Sequence, residues 1–318
     1  MLMIHTRDLQ KSFRAKTGPV EAVRGVDLDV KAGEIFGFLG PNGAGKTTTL
    51  RMLATLITPT AGEATVAGAD LLREPDKVRE RIGYVAQGGS SFDLETGRRE
   101  LVLQGRLYGM SRAEAVGRAR ELLVSLDLDA AADRKTETYS GGMRRRLDIA
   151  LGIMHRPQLL FLDEPTTGLD PQARAHMWDE IRRLRDQGTT VFVTTHYLEE
   201  ADALCDRLAI IDHGKIVAEG TSTELKRQVA GDVVVLGVDG DPEAILALVR
   251  AEPFVREASL GEGGLLRLYV EDGDTALPLI LRFVDARGAH AHSIAMSRPS
   301  LDDVFLRKTG RSLRDAPQ

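Results

Sequence analysis

The sequence predicts an α/β protein with a phosphate-binding loop at its core and a small α+β domain behind it. Three observations carry this. Short apolar runs alternate with amphipathic stretches over residues 3–220, as in a largely parallel sheet covered by helices. A Gly-rich loop ending in Gly45-Lys46-Thr47 stands between an apolar run and a helical pattern. After Gly220 the texture changes to short strands and helices in a different order.

Taken along the chain, Val26, Leu28 and Val30 alternate with Asp27 and Asp29, the pattern of a strand buried on one face. Residues 34–39 are a compact apolar run stopped by Gly40, and a helix is expected over 46–57. Residues 81–86 predict a strand, and 95–155 turn helical, rich in Arg, Glu, Ala and Leu. Alternation then resumes, with strands at 159–163, 190–194 and 208–212 and a helix at 171–185. A largely parallel sheet interrupted by a helical insertion follows from that order. In the last third, strands are expected at 233–238, 265–270 and 292–296, and helices at 242–250, 275–287 and 300–308. This suits a small β-α-β-β-α-β sandwich. The domains are expected at 3–220 and 231–310, with a polar, frayed tail after Gly310.

Composition narrows the function classes. The 318 residues are 42% hydrophobic and 28% charged, enough to bury a core. Lys plus Arg is 42 and Asp plus Glu is 47, a net charge of −5, which argues against a dedicated nucleic-acid binder. One cysteine, Cys205, cannot form an internal disulfide or a structural zinc site, so a reducing interior is expected. Apolar runs fall far short of the ~20 residues of a spanning helix. The N-terminus carries Arg7 and Asp8 and lacks the apolar core of a signal peptide. Any role in transport therefore requires a second, membrane-spanning polypeptide.

Residues Gly40, Pro41, Asn42, Gly43, Ala44, Gly45, Lys46 and Thr47 fit the nucleotide-loop spacing. The glycines let the backbone turn its N–H groups toward phosphate oxygens, and the following helix offers its positive end. Lys46 can reach the β and γ phosphates, and the Thr47 hydroxyl can hold Mg²⁺. A second apolar run, residues 159–162, ends in Asp163 and Glu164. A carboxylate at a buried strand end needs a partner or a metal. Asp163 suits Mg²⁺ and Glu164 a water on the γ phosphate. Between these motifs, Ser140-Gly141-Gly142 opens a basic helix with a hydroxyl and free N–H groups suited to an anion.

The motifs in this order resemble the ATP-binding subunits of ABC transporters. Residues 40–47 match the family's Walker A motif and 159–164 its Walker B. Tyr139-Ser140-Gly141-Gly142-Met143 is similar to its Leu-Ser-Gly-Gly-Gln signature, with Tyr139 and Met143 as departures. Gln87 matches the Q-loop, Gly168-Leu169-Asp170 the D-loop, and His196 the switch histidine. Phe13 stands where the family stacks an aromatic on adenine. Met143 followed by Arg144-Arg145-Arg146, and the closing residues 300–306, resemble the drug-export branch.

The resemblance implies a mixed sheet core with a helical signature subdomain over about 95–155 and an N-terminal antiparallel β portion, and ATP and Mg²⁺ as ligands. Lys46 and the loop would cradle the phosphates, with Thr48 near the α phosphate. Thr47 and Asp163 would hold Mg²⁺, with Gln87 sensing metal and water. Glu164 would act as base or water-orienter, and His196 would contact the γ phosphate. It also implies a homodimer in which Ser140 and Gly142 face the partner's nucleotide, with Gly141 and Asp170 also among the nucleotide-binding residues. A separate multi-span permease would dock near the helical insertion, placing the chain peripherally on the cytoplasmic face of the membrane, with no nucleic-acid partner. The C-terminal domain is expected to pack between subunits or tune dimerisation. Drug efflux is the implied work. Lipid, polysaccharide or ion cargo, or a soluble ABC ATPase, are the alternatives; the Ser-Gly-Gly motif and His196 argue against a P-loop kinase or GTPase.

The remaining distinctive side chains have plainer expectations. Trp178 packs, Cys205 fills a small buried gap, and His290 and His292 are surface residues. Arg144, Arg145 and Arg146 flank the signature helix and face solvent or ligand phosphates.

Overall fold

The computed structural model describes residues 1–16, 18–89, 95–228, 231–297 and 299–313. They divide into a unit over Met1–Thr221 and a second that begins at Ser222.

In the first unit, β1 (Leu2–Ala15) and β2 (Gly18–Lys31) form a long antiparallel hairpin. Next come β3 (Ile35–Leu39), α1 (Lys46–Leu53), β4 (Ala61–Val66) and β5 (Ala69–Asp70). The expected helix over 46–57 stops at Leu53, and Thr55 adopts φ 61, outside helical space. Strands β2-β1-β4-β5 make an antiparallel sheet. Helix α2 (Pro75–Arg81) leads into β6 (Ile82–Val85), and the helical insertion supplies α3 (Gly97–Leu107), α4 (Arg112–Ser125) and α5 (Gly141–Gly152). A capping box between Ser111 and Glu114 starts α4. The unit ends with β7 (Leu159–Asp163), α6 (Pro171–Asp186), β8 (Thr190–Thr195), α7 (Leu198–Leu204), β9 (Arg207–Asp212) and β10 (Lys215–Gly220).

The main sheet runs β10-β9-β3-β8-β7-β6, parallel throughout except for β10 against β9. Every residue of β3, β7 and β8 is buried, because helices or the antiparallel sheet cover both faces. The period-2 alternation sorts their side chains. Phe36, Phe38, Phe161 and Phe192 join the core shared with β1, β2 and α1. Ile35, Leu160, Leu162, Val191 and Val193 join the core beneath the helical insertion and α6. Phe192 is the hub of the first, with ring centroids 5.8, 5.6 and 5.7 Å from Phe36, Phe38 and Phe161.

This order decides where chemistry can sit. Strands β6, β7, β8 and β3 are neighbours and parallel, so Gln87, Glu164, His196 and Gly40, which follow their C-terminal ends, gather on one edge.

The second unit contains α8 (Ser222–Gln228), β11 (Asp232–Val238), α9 (Pro242–Val249), β12 (Glu257–Leu260), β13 (Leu266–Val270), α10 (Gly273–Asp285), β14 (Ala291–Ser297) and α11 (Leu301–Thr309). Its antiparallel sheet runs β12-β13-β11-β14, a ferredoxin-like order. Strand β12, with four residues, is too short to show a period in the sequence. Val234, Leu236, Leu266 and Leu268 pack on Ile245, Val249, Ile280 and Val284. The tail stays tied beyond Gly310: Ser312 and the Leu313 N–H both donate to Asp302, and Leu313 is buried. Residues 314–318 of the expected frayed tail lie outside the described residues. No helix among the described residues is long and apolar enough to cross a membrane.

Candidate nucleotide site

The loop from Gly40 to Thr47 is shaped by close backbone approaches. Gly45, the residue before α1, has φ 107, and a Cβ there would lie 2.5 Å from the Ala22 carbonyl oxygen. A Cβ on Gly40 would lie 2.3 Å from the Ile211 carbonyl oxygen. Only glycine lets the loop nest against β2 and β9. Ala44 is pinned within it, its N–H donating to Pro41 O and its carbonyl accepting from Gly214 N.

Lys46 opens α1 and is only 4% exposed. Its ammonium donates to Gly40 O at 2.8 Å and Pro41 O at 3.1 Å, and lies 3.4 Å from Glu164 Oε1. Burial pulls its pKa below the usual lysine range, against the opposing pull of Glu164 and Asp163. The group is a cation in a dry cradle, held by oxygens that phosphate can replace.

Asp163 is 1% exposed and is satisfied by two hydroxyls that donate to Oδ1: Thr47 at 3.1 Å and Thr194 at 2.6 Å. The Thr194 hydroxyl and carbonyl oxygens each accept from the Glu164 N–H at 3.1 Å. Glu164 itself has φ 46, a left-handed backbone that costs a non-glycine residue about 1–3 kcal/mol and persists only where neighbours enforce it. Its Oε2 accepts from Gln87 Nε2 at 2.9 Å and Thr167 Oγ1 at 3.3 Å. His196 Nδ1 stands 3.2 Å from the same oxygen but off the line of a hydrogen bond. Burial presses the Glu164 carboxyl upward, but the His196 ring and the Lys46 ammonium outweigh it and hold it below the usual carboxylate range. It is therefore ionised at neutral pH.

Ala22, Asn42, Gly43, Gly45, Lys46, Thr47, Thr48, Gln87 and Glu164 line one cavity of about 460 Å³. Phe13 is not among its walls. That ring is 40% exposed at the tip of the hairpin, paired with Val20, with the Lys11 ammonium 5.1 Å from its centroid. Ser140, Gly141, Gly142 and Asp170 line a second cavity of about 400 Å³ with Arg146 and His176. Ser140 caps α5 by accepting from Met143 N, and Asp170 caps α6 by accepting from Ala173 N. The phosphate-loop residues and the Ser-Gly-Gly and Asp170 residues of one chain thus line different cavities.

A hard cation such as Mg²⁺ prefers oxygen ligands and is often held by one carboxylate together with substrate phosphates. Thr47 Oγ1, on the cavity wall, and Asp163 Oδ1, 3.1 Å from it, supply that donor set. Among the described residues no cluster of three or more His, Cys, Asp or Glu forms an all-protein metal cage.

Several functional contacts escaped the sequence reading. Arg145 does not face solvent or phosphate as expected: it is 7% exposed and spends its donors on three backbone carbonyls. Its spacing to Asp148, one turn on within a largely apolar helix, was the available signal. Arg144 reaches Glu137 O, and Arg146 reaches Leu126 O beside the second cavity. Tyr139 is buried and donates to Ala131 O at 2.8 Å, and Met143 packs against the core under the insertion. Trp178 packs as expected, but its indole N–H also donates to the fully buried Glu200, which accepts from Thr166 at 2.7 Å.

A phosphate cradle and an acidic strand end on a parallel sheet, with a capped Ser-Gly-Gly helix in the same unit, define a P-loop ATPase of the ABC class. Residues 23–167 match the family model for the ABC transporter, and 220–309 match that for the ATP-binding protein DrrA1-3-like C-terminal domain. The chain belongs to the ABC transporter ATP-binding proteins and is an ATPase.

It is 45% identical to the daunorubicin/doxorubicin resistance ATP-binding protein DrrA of Streptomyces peucetius over 313 residues, which cover 98% of this chain and 94% of that one. It is 38% identical to the linearmycin resistance ATP-binding protein LnrL of Bacillus subtilis (strain 168) over 315 residues, covering 98% and 100%. Among solved structures, the dimeric post-hydrolysis state of the ATP-binding cassette MJ0796, bound to ADP and Pi, superposes with TM-score 0.64 at 28% identity, covering 69% of this chain and 98% of that one.

Proposed function

We propose that this chain powers efflux of a drug or antibiotic through a separate membrane subunit, by hydrolysing ATP at the cavity between Lys46 and Glu164. The observation that carries the reading is the extent of the likeness to a drug-resistance ATP-binding protein, which runs through both units. Phosphoryl transfer needs positioning and charge neutralisation more than covalent chemistry. Loop N–H groups and Lys46 bind the phosphates, with Thr48 at the α position. In doing so Lys46 exchanges Gly40 O, Pro41 O and Glu164 for phosphate oxygens, which frees Glu164 Oε1 to orient a water. Mg²⁺, held by Thr47 and Asp163, would neutralise charge on the phosphates. Gln87 and His196, both against Glu164 Oε2, set that carboxylate's direction and report on the γ phosphate. Phe13 supplies the adenine platform from the hairpin.

The separation of Ser140 and Asp170 from the phosphate cavity supports completion of each site by a second copy, head to tail. The membrane subunit docks in a groove of about 360 Å³ between β6 and the helical insertion, where Leu56, Leu103, Leu107 and Tyr108 expose apolar surface. This holds the chain peripherally at the membrane. The test is ATP-dependent doxorubicin accumulation in inside-out vesicles carrying the chain and its permease, with Lys46→Met as the control. Wild-type vesicles that hydrolyse ATP but accumulate no more drug than the control would refute the cargo class.

A further inference from the structure

We infer that Arg145 is a positioning residue for hydrolysis: one guanidinium fixes the backbone on both sides of Glu164 and the backbone before Gln87. This rests on the reading of Glu164 as the water-orienting carboxylate.

The geometry is specific. Arg145 Nη2 donates to Asp163 O at 3.0 Å, the carbonyl that precedes Glu164. Arg145 Nε donates to Pro165 O at 2.8 Å, the carbonyl of the residue that follows it. Arg145 Nη1 donates to Ala86 O at 2.6 Å, immediately before Gln87. Those three contacts join two strand ends, β6 and β7, to the helix that Ser140 caps. Between the two anchored carbonyls, Glu164 holds φ 46. A left-handed glutamate relaxes unless its flanking peptides are pinned. A planar fork with five donors in fixed, divergent directions can pin them; an ammonium offers three from a single atom on a flexible stem and does not reproduce that spread. Burial draws the guanidinium pKa down, while Asp148 and Asp163 oppose the shift. Asp148 keeps company with the second strand end too: its Oδ2 sits 2.9 Å from where a Gly89 Cβ would lie, just past Gln87. The helix that begins at the signature is thus wired to the two loops that aim the water.

The test is a double-mutant cycle on the full chain with ATP and Mg²⁺. Arg145→Lys and Arg145→Met are made alone and on Glu164→Gln. Turnover is followed by phosphate release, nucleotide affinity by a fluorescent ATP analogue, and folding by thermal melts. Arg145→Met is expected to lower kcat at least tenfold with nucleotide Kd within twofold, and Arg145→Lys to recover a few-fold of that loss. On Glu164→Gln, neither change is expected to lower the residual rate by more than twofold, since both act through one carboxylate. If Arg145→Met does not fold, Arg145→Lys decides, and a fall in kcat at unchanged Kd that vanishes on Glu164→Gln supports the inference. Wild-type kcat in a folded variant, a parallel loss of nucleotide affinity, or an equal fall on Glu164→Gln overturns it. Wild-type turnover in Glu164→Gln alone fails the reading of Glu164 instead.

Discussion

Replacing Glu164 by Gln removes one charge from the most connected point of the site, and the structure sets how much each property should change. Oε2 accepts from Gln87 and Thr167, so the new carboxamide must place its oxygen there. Its NH₂ then faces the Lys46 ammonium, which stood 3.4 Å from Oε1. Lys46 loses that attraction but keeps Gly40 O and Pro41 O at 2.8 and 3.1 Å. The loss to stability is then about 1 kcal/mol, the net scale of one such contact. That corresponds to about 2–4 °C in melting temperature for a unit of this size. Catalysis loses more, because an amide cannot take the water's proton. Removal of a general base lowers the rate by about 10²–10⁴-fold, or about 3–5 kcal/mol at 1.36 kcal/mol per decade. The assay pairs phosphate release with a thermal melt, and gel filtration with ATP and Mg²⁺ should show a persistent dimer. Turnover within threefold of wild type refutes the role given to Glu164. A melt lowered by far more than 4 °C refutes the account of Lys46.

Further expectations follow from other contacts. Stability should separate Glu164 from Gln with pH. The native carboxyl is held low, so its contribution is full above the unfolded pKa and disappears as pH falls through the folded value. The gap between wild type and Glu164→Gln in denaturant midpoint should therefore be largest at pH 6–7 and shrink below about pH 4.3; a gap that widens on acidification contradicts the shift. Gly45→Ala combines φ 107 with a contact at 2.5 Å to backbone, and should cost about 2 kcal/mol or more and abolish binding of a fluorescent ATP analogue. Gly141→Ala, whose Cβ would meet nothing within 4 Å, should leave the melt within about 0.5 kcal/mol, so any lost turnover reports on the surface offered to the second copy. Tyr139→Phe removes the bond to Ala131 O and should cost about 1 kcal/mol by urea titration; no change would mean the hydroxyl is idle.

The phosphate loop was legible because its geometry is local. Its glycines, lysine and threonine are contiguous, and the turn before a helix dictates their types. Asp163 and Glu164 were legible as acids at the end of an apolar run, though not the left-handed backbone at Glu164, which comes from its neighbours. The helix start at Ser140 also follows from short spacing. The strands β12 and β5 were not, being too short for periodicity to speak. Nor was the role of Thr194, which looks in sequence like any β-branched strand residue while its hydroxyl joins Asp163 to the Glu164 N–H. Arg145 was misjudged for the same reason: in sequence it is the middle of three arginines, and only the packing of α5 against two strand ends buries it.

That this chain grips a phosphate and carries a signature helix is written in residue types at fixed short spacing. Which of these residues meet depends on the fold. Parallel pairing of β6, β7, β8 and β3 brings Gln87, Glu164, His196 and the loop to one edge, across separations of up to 156 residues. It leaves Ser140 and Asp170 in another cavity. Strand order is set by burial of the two apolar faces of the sheet, a property of the whole domain that no single motif encodes.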